Sequence, residues 1–437
     1  MVARASEWQS PITCTMLAAM YRESLWFHQE FRQLWAGQTV SQFGTYVGQT
    51  VLPLLAATTL KASPFQMGVL TAAGTAAFLL IGLPTGVLVD RVRRKPVMLT
   101  ADFTRAALLL TVPLAAWADV LTLTQLIVVA LLASAATVLF DVAYQSYLPS
   151  LVGRAQLMEG NTRLQSSLSA AEVTGPGVGG GLAQLVGGAT AVLTTSVSYL
   201  ISGLLLLRIR TPEPKPMGHD GNRVRTQMKE GMGFVLGEKS LRAITISTAL
   251  SNLAITVLLS MQILFLTRDL GLTPGAVGAV LALSSVGGLL GALTAGRCAK
   301  WIGPARAIWL IPLVISPVAL VVPLAEPGRL TVLCVLGLAL RAYGTTVFNV
   351  VNVSYRQAIC PRRLLGRVNA TVRFITWGAM PVGGLLGGVL GGWIGVRATL
   401  WVSCSALALT PLPLLLSPLR TLREFPAVQE EEVPSRS

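Results

Sequence analysis

The chain has 437 residues, of which 53% are hydrophobic and only 12% are charged. Soluble globular domains carry about 25% charged residues, so this composition excludes an ordinary soluble protein and also a disordered chain. The net charge of +15 does not indicate a nucleic-acid partner, because the basic residues do not cluster beside aromatic or groove-reading segments. The composition instead predicts an all-α protein that crosses a lipid bilayer many times.

Twelve apolar runs have about the 20-residue length that one membrane-spanning helix needs. In the first half of the chain they cover 34–60, 66–89, 96–117, 122–146, 164–187 and 189–208. In the second half they cover 241–267, 275–298, 306–325, 330–354, 369–392 and 396–417. The predicted organisation is a tail (1–33), a six-helix bundle (34–208), a hydrophilic central loop (209–240), a second six-helix bundle (241–417) and a second tail (418–437).

The distribution of basic residues predicts the orientation of these spans. Of the 34 Lys and Arg residues, 27 lie in the even-numbered loops and the two tails, and only four lie in the odd-numbered loops. Loops rich in Lys and Arg stay on the cytoplasmic side of a membrane. We therefore expect both termini and the central loop to be cytoplasmic, in a multi-pass protein of the cell membrane.

The two halves of the chain also repeat each other. The segments SPFQMGVL at 63–70 and TPGAVGAV at 273–280 both open a span, and they are 210 positions apart. The glycine runs of the fifth and eleventh spans coincide at an offset of 208 positions. This duplication predicts two bundles related by a pseudo-two-fold axis along the membrane normal, with a substrate site between them at mid-membrane.

Few residues are available for metal binding or catalysis inside the membrane. The five cysteines are scattered without a CxxC pair, and His28 and His219 both lie in hydrophilic segments. No metal, cofactor or ATP-binding P-loop is expected, and the sequence does not favour an enzyme.

The loop after the second span reads GVLVDRVRRK over residues 86–95. A cytoplasmic position alone would explain its basic residues, but it would not explain an acid embedded among them after a glycine. The segment resembles the G-x-x-x-D-R-x-x-R-K motif of the major facilitator superfamily of transporters. The matching residues are Gly86, Asp90, Arg91, Arg94 and Lys95.

This resemblance implies a gate at the cytoplasmic side that latches the two halves together. It implies that Asp141, near the end of the fourth span, is the acidic partner of the loop. It also implies that Asp90 faces the start of the eleventh span, where Arg373 lies. The second-half copy of the loop departs from the motif, because Lys300 stands where the first half has Asp90.

The fifth span contains GPGVGG over residues 175–180. Proline removes a backbone hydrogen bond and bends a helix, while glycine lets a neighbouring helix approach closely. The segment resembles the G-P-x-x-G-G core of the antiporter motif of drug exporters, with Gly175, Pro176, Gly179 and Gly180 at the matching positions. The alternative is ordinary small-residue packing, because the eleventh span repeats the glycines without the GP pair.

Further segments, FRQLWAGQ at 31–38 and DFTR at 102–105, are similar to the branch of the superfamily that holds macrolide and enterobactin exporters. The resemblance implies a monomeric, proton-coupled exporter of drugs or natural products that works by alternating access. One departure matters: Thr45 follows Gly44 in the first span, where this branch often has an acid. A proton-carrying acid must then lie elsewhere.

Charged residues within the spans are candidates for that role, because burying them in hydrocarbon is costly. Asp102 and Arg105 are three positions apart on one helix and can form an ion pair, which could be structural. Glu172 precedes the GP pair of the fifth span, and Arg341 lies near the middle of the tenth. Our hypothesis is that Glu172 carries the proton and faces the central cavity together with Arg341; an interhelical structural bridge is the alternative.

Polar residues that could line the cavity recur on the first span at spacings of four, four and three, so they share one helical face. They are Gln38, Gln42, Tyr46 and Gln49. Further candidates in the second half are Asn252, Gln262, Tyr343, Asn349 and Trp377. Together these side chains suggest a moderately large, partly apolar substrate.

Other functions remain alternatives to drug efflux. Export of an endogenous metabolite such as a siderophore or antibiotic would use the same architecture, and import is opposed only by the G-P-x-x-G-G match. A membrane-embedded hydrolase would need a catalytic set inside the spans, and a transporter-derived sensor would need an additional soluble domain. The sequence provides neither feature.

Overall fold

The computed structural model describes residues 25–82, 85, 89, 91–211, 213, 222–361, 364–422 and 424. Across these described residues the regular secondary structure is entirely helical, which confirms the predicted fold class. Nine of the described helical segments are long and apolar enough to cross a membrane. The three that complete the twelve predicted spans are Gln29–Thr58, Pro64–Leu80 and residues 154–186. The first carries the polar face noted above, and the second has only 17 described helical residues.

Five α-helices have defined bounds in the described part of the first half. They are α1 (Gln29–Thr58), α2 (Pro64–Leu80), α3 (Arg94–Trp117), α4 (Leu123–Val186) and α5 (Gly188–Leu207). Helix α4 includes two predicted spans, which Gly153 separates. This residue has φ +71° and ψ 167°, a conformation that glycine adopts without steric cost. We call residues 123–153 the first arm of α4 and residues 154–186 the second arm.

The second half begins with a helix that was not predicted. The helices are α6 (Asn222–Gly237), α7 (Lys239–Leu264), α8 (Pro274–Ile302), α9 (Pro304–Ile315), α10 (Thr331–Ile359), α11 (Leu365–Ile394), α12 (Val396–Leu409) and α13 (Leu412–Leu415). A π-helical turn (Phe265–Asp269) extends α7, and a 3-10 helix (Ser316–Leu324) extends α9. Helix α6 occupies part of the hydrophilic stretch that the sequence analysis treated as a loop.

Matching caps show the internal duplication at atomic detail. Ser63 caps α2 by accepting a hydrogen bond from the amide of Gln66, and Thr273 caps α8 in the same way; a proline follows each cap. Gly187 and Gly395, which are 208 positions apart, both have φ above +80° and precede α5 and α12. The same local chemistry therefore starts corresponding helices in both halves.

Helices α1, α3, α4 and α5 pack mainly on one another, and so do α7 to α12, whereas α2 packs more on the second half than on its own half. The halves meet chiefly where α2 crosses α11 and where α4 crosses α8. We call the end of the molecule that holds the α1–α2 and α7–α8 connections (59–63 and 270–273) the distal end. The opposite end, with residues 91–93 and the start of α11 at Leu365, is the basic end.

Candidate functional site

Two glycine seams close the distal end between the halves. In the first seam, a Cβ atom added to Gly68 of α2 would lie 2.6 Å from the carbonyl oxygen of Gly384 on α11. In the second, a Cβ on Gly278 of α8 would lie 2.6 Å from the carbonyl oxygen of Pro176 on α4. Real Cβ atoms do not approach so closely, so these helix pairs touch backbone to backbone. The distal end is therefore tightly packed in this conformation.

The GPGVGG segment contributes to two different contacts. Gly175 and Gly179 face α1: a Cβ on Gly179 would lie 3.0 Å from the carbonyl oxygen of Val47. Pro176 and Gly180 face α8 of the other half. The two pairs of motif positions, 175/179 and 176/180, thus let the second arm of α4 pack closely on its own bundle and on the partner bundle at once.

Two polar contacts join the halves beside the seams. The guanidinium of Arg268, at the end of α7, donates a hydrogen bond to the carbonyl oxygen of Ala62 at 2.8 Å and a longer one to that of Ala57 at 3.5 Å. The backbone amide of Gly275 donates to the side-chain oxygen of Gln184 at 2.9 Å. Both contacts hold one half to the other at the distal end.

A cavity of about 280 Å³ lies between the halves toward the basic end. Its walls come from the ends of α2 and of the first arm of α4, and from the start of α11. The lining residues are Phe78, Gly82, Val138, Asp141, Val142, Asn369, Ala370, Arg373, Phe374 and Trp377. This volume is close to the lower limit of about 300 Å³ for small-molecule pockets.

One acidic and one basic side chain, from opposite halves, line this cavity. Asp141 lies within electrostatic range of Arg105 in its own half and of Arg373 in the other half. The Arg373 guanidinium lies 4.0 Å from the ring centre of Trp377, and Trp377 meets Phe78 edge to face at 4.5 Å between ring centres. The cavity therefore combines a carboxylate, a guanidinium and an aromatic pair.

Arg105 connects Asp141 to a second acid within the first half. Its guanidinium forms an ion pair with Asp102, and both side chains are almost completely buried. It also lies 4.6 Å from the ring centre of Phe140 and 4.1 Å from that of Tyr199. The three-residue spacing therefore produces the pair that the sequence allowed, inside the first bundle.

The loop motif at 86–95 is only partly described. Gly86 and Asp90 lie outside the described residues, while Arg91 does have an interaction in the structure. Arg94 and Lys95 turn toward their own half: the carboxylate of Glu213 accepts hydrogen bonds from their backbone amides at 2.6 and 3.2 Å.

Lys95 also closes the end of α5, because its ammonium donates to the carbonyl oxygens of Leu207 and Ile209. An anion at a helix N-terminus and a cation at a helix C-terminus are both favourable positions. Glu213 thus caps α3, and the basic residues of the motif fix the beginning of the central segment to the first bundle.

The two charged residues that we expected to share the central cavity lie apart. Glu172 is exposed on the second arm of α4, within electrostatic range of Tyr46 on α1. Arg341 lines a different, smaller cavity inside the second half. The separation follows from helix rotation, which the apolar runs around these residues do not specify.

The other predicted cavity residues have varied positions. Trp377 lines the cavity between the halves. Asn252 donates to the carbonyl oxygen of Thr376 at 2.9 Å, and Tyr343 accepts from Thr294 at 3.1 Å, so each connects two helices of the second half. The rest are described by burial alone: Gln38 and Gln262 are buried, Gln42 is half-buried, and Gln49 and Asn349 are exposed.

Sequence reasoning missed several residues of the site. Phe78 and Asn369 line the cavity, Glu213 caps α3, and Arg268 and Gln184 join the halves. Arg268 had one available signal, since it is one of only four basic residues in the odd-numbered loops. The others have no distinctive sequence context.

Comparisons with known proteins agree with this architecture. A family model described as transmembrane secretion effector matches residues 24–436. The chain is 28% identical over 378 residues to the multidrug efflux pump Tap of Mycolicibacterium fortuitum, covering 82% of this chain and 89% of that protein. It is 28% identical over 379 residues to the enterobactin exporter EntS of Citrobacter koseri, covering 84% of this chain and 87% of that protein.

A solved structure of a bacterial homologue of the iron transporter ferroportin, in an inward-facing state, has a TM-score of 0.73 at 18% identity, covering 89% of this chain and 98% of that chain. Two helical bundles that meet along paired seams, with a cavity between them, define a secondary transporter. The chain belongs to the transmembrane secretion effector family of the major facilitator superfamily. The resemblance drawn from the sequence motifs is thereby confirmed, and the protein is a multi-pass membrane transporter.

Proposed function

We propose that the protein is a proton-coupled exporter of small, partly apolar organic molecules. It acts as a monomer by alternating access in the cell membrane, with both termini and the basic end in the cytoplasm. The observation that carries the proposal is the position of Asp141. Its carboxylate lines the cavity between the halves, within electrostatic range of Arg105 in its own half and of Arg373 in the other half.

Protonation of Asp141 would change the attraction between the halves. The charged carboxylate attracts Arg373 and draws α4 and α11 together at the basic end. A neutral carboxyl loses that attraction, so proton binding favours separation of the halves at this end while the glycine seams close the distal end. A proton taken up outside and released into the cytoplasm would thus drive the return of an emptied exporter to the inward-open state.

The chemistry of the cavity supports a substrate with both apolar and polar groups. Phe78 and Trp377 offer an aromatic edge-to-face pair, while Asp141 and Arg373 offer charges of both signs. A substrate cation could compete with the proton for Asp141. The names of the relatives Tap and EntS support export as the direction.

The proposal is tested in cells and in proteoliposomes with an imposed proton gradient. We expect extrusion of a fluorescent organic cation that stops when a protonophore collapses the gradient. Asp141→Asn should reduce gradient-driven export at least tenfold, because its charge no longer responds to protons. The control is Asp119→Asn, an exposed acid in the α3–α4 turn, which should retain wild-type export.

Glu172 is the second candidate for the coupling acid, because it lies on the second arm of α4, which packs on α1, and within electrostatic range of Tyr46. If Glu172→Gln abolishes gradient dependence and Asp141→Asn does not, the coupling site is at Glu172. If both variants retain proton-driven export at the wild-type rate, neither acid couples transport to protons and the proposal is wrong.

A narrow exporter of an endogenous metabolite is the second candidate function, and the relative named as an enterobactin exporter favours it. In that case the dye is retained, and deletion of the gene in its host leads to intracellular accumulation of one metabolite. Uptake of the dye or metabolite along the proton gradient, in place of extrusion, would instead show import.

A further inference from the structure

A second cavity lies inside the C-terminal half, away from the cavity between the halves. Its lining residues come from α7, from α9 and its 3-10 extension, from α10 and from α12, and its volume is about 40 Å³. Arg341 lines it, ten residues after the start of α10 at Thr331. At 1.5 Å per residue this places Arg341 about 15 Å into the helix, near the middle of the membrane.

Arg341 has no hydrogen bond or ion pair with any residue in the described part of the chain. Its Nε atom is fully buried without a partner. The thiol of Cys404 lies within electrostatic range, but a thiol is no counter-charge for a guanidinium. Arg105, the other arginine deep in a bundle, has Asp102 as its partner. The difference shows that Arg341 lacks the usual compensation.

No acidic side chain is available to supply that compensation from within the second half. Residues 241–417 contain only two acids, Asp269 and Glu326. Asp269 is at the distal end, where its electrostatic partners are Arg397 and Arg268. Glu326 is exposed in the connection before α10. Arg341 is therefore a permanently charged group without an acidic partner from its own half.

Hydroxyl groups line the same cavity without hydrogen bonds. Ser251, Ser316 and Thr345 face it, and none of them forms a side-chain hydrogen bond with the described residues. Ser247, which also lines the cavity, does donate to the carbonyl oxygen of Thr410 at 2.8 Å. The three unpaired hydroxyls are half-buried, so they are available as hydrogen-bond donors beside the guanidinium of Arg341.

We propose that this cavity binds one small monovalent anion, of which chloride is the representative, between Arg341 and the hydroxyls of Ser251, Ser316 and Thr345. Arg341 is half-buried, and a charge inside a membrane-spanning bundle is costly unless it is paired, so the anion lowers that cost. The volume holds about three water molecules or one halide, so it is too small for an organic substrate or a lipid headgroup. The anion stabilises the second half and does not pass through the transport cavity.

The test measures thermal stability of the purified full-length protein in detergent, so it does not depend on transport or on any substrate. Sodium chloride is titrated against sodium gluconate at constant ionic strength, because gluconate is too large for the cavity. We expect chloride to raise the apparent Tm saturably, by about 2–5 °C. Bromide should have the same effect.

Two variants assign the effect to the site. Arg341→Gln should lose the chloride-dependent rise in Tm, whereas Arg397→Gln should retain it. Arg397 is a matched control, since it is in the same half but already donates to the carbonyl oxygen of Ala325 at 3.1 Å. An equal Tm in chloride and gluconate, or a chloride effect that persists in Arg341→Gln, overturns the proposal.

Two further variants keep the test decisive if Arg341→Gln does not fold. Ser251→Ala and Thr345→Val keep the arginine and each removes one hydroxyl, so each should raise the half-saturating chloride concentration at least threefold. Anomalous diffraction from crystals grown in bromide should show a peak beside the guanidinium. Unchanged half-saturation in both variants, or water alone at the site, rejects the anion.

Discussion

Gly180 on the second arm of α4 and Gly278 on α8 touch so closely that neither position has room for a side chain. A Cβ on Gly180 would lie 2.6 Å from the Cα of Gly278, and a Cβ on Gly278 would lie 2.8 Å from the Cα of Gly180. The related seam is similar, since a Cβ on Gly388 of α11 would lie 3.0 Å from the Cα of Gly68 on α2. Both contacts join the halves, so closure of the distal end depends on them.

Gly180→Val is expected to open the distal end. Overpacking costs about 1–3 kcal/mol, and this cost applies only to the closed arrangement, so the open population should rise about 5- to 150-fold. The measurement is the distance between spin labels at Thr59 and Glu326, two exposed positions in distal connections of opposite halves. Gly181→Val is the control, because a Cβ there meets nothing within 4 Å. An unchanged distance distribution in Gly180→Val would contradict the gating role of the seam.

Arg268→Ala should shift the same equilibrium through a polar contact. It removes a charge-assisted hydrogen bond to Ala62 across the halves, which is worth about 1.5–3 kcal/mol. The same pair of spin labels should report an increase in the open population of about tenfold or more. Arg329→Ala, at an exposed arginine of another distal loop, should leave the distances as in the wild type. If the two variants behave alike, general loss of positive charge explains the result.

Removing one partner of the ion pair between Asp102 and Arg105 should strongly destabilise the protein. Asp102→Asn removes the ion-pair partner of the buried guanidinium, and such losses cost about 3–5 kcal/mol. The double variant with Arg105→Gln should recover part of the lost stability, because the guanidinium that lost its partner is removed as well. Thermal unfolding in detergent compares both variants with the wild type, and Asp119→Asn is the control. A single variant as stable as the wild type would show that the pair is not structural.

Glu213→Ala should loosen the start of α3. Loss of a helix cap costs about 0.5–2 kcal/mol, and the amides of Arg94 and Lys95 lose their acceptor. Hydrogen exchange at these two amides should become about tenfold faster, while the middle of α3 is unaffected. Glu326→Ala removes an exposed acid elsewhere and should not alter them. Equal exchange in Glu213→Ala and the wild type would exclude the cap.

Much of the fold could be read from the sequence because membrane insertion makes its signals local. A bilayer requires about 20 apolar residues for each span, so the twelve runs were visible without any tertiary information. Duplication of the chain gave the relation between the halves, and the caps at Ser63 and Thr273 repeat it. The ion pair of Asp102 with Arg105 was also accessible, because residues three apart lie on one helical face.

Tertiary structure alone decided what each face of a helix meets. Rotation of α10 places Arg341 inside the second half, and rotation of α4 places Asp141 on the cavity toward Arg373. An apolar run specifies that a helix is buried in the membrane, but lipid and neighbouring helices are equally apolar. The sequence therefore determined the spans and their duplication. The contacts between helices were decided only by the packing of the bundles, because they join glycine backbones and charges that lie far apart in the chain.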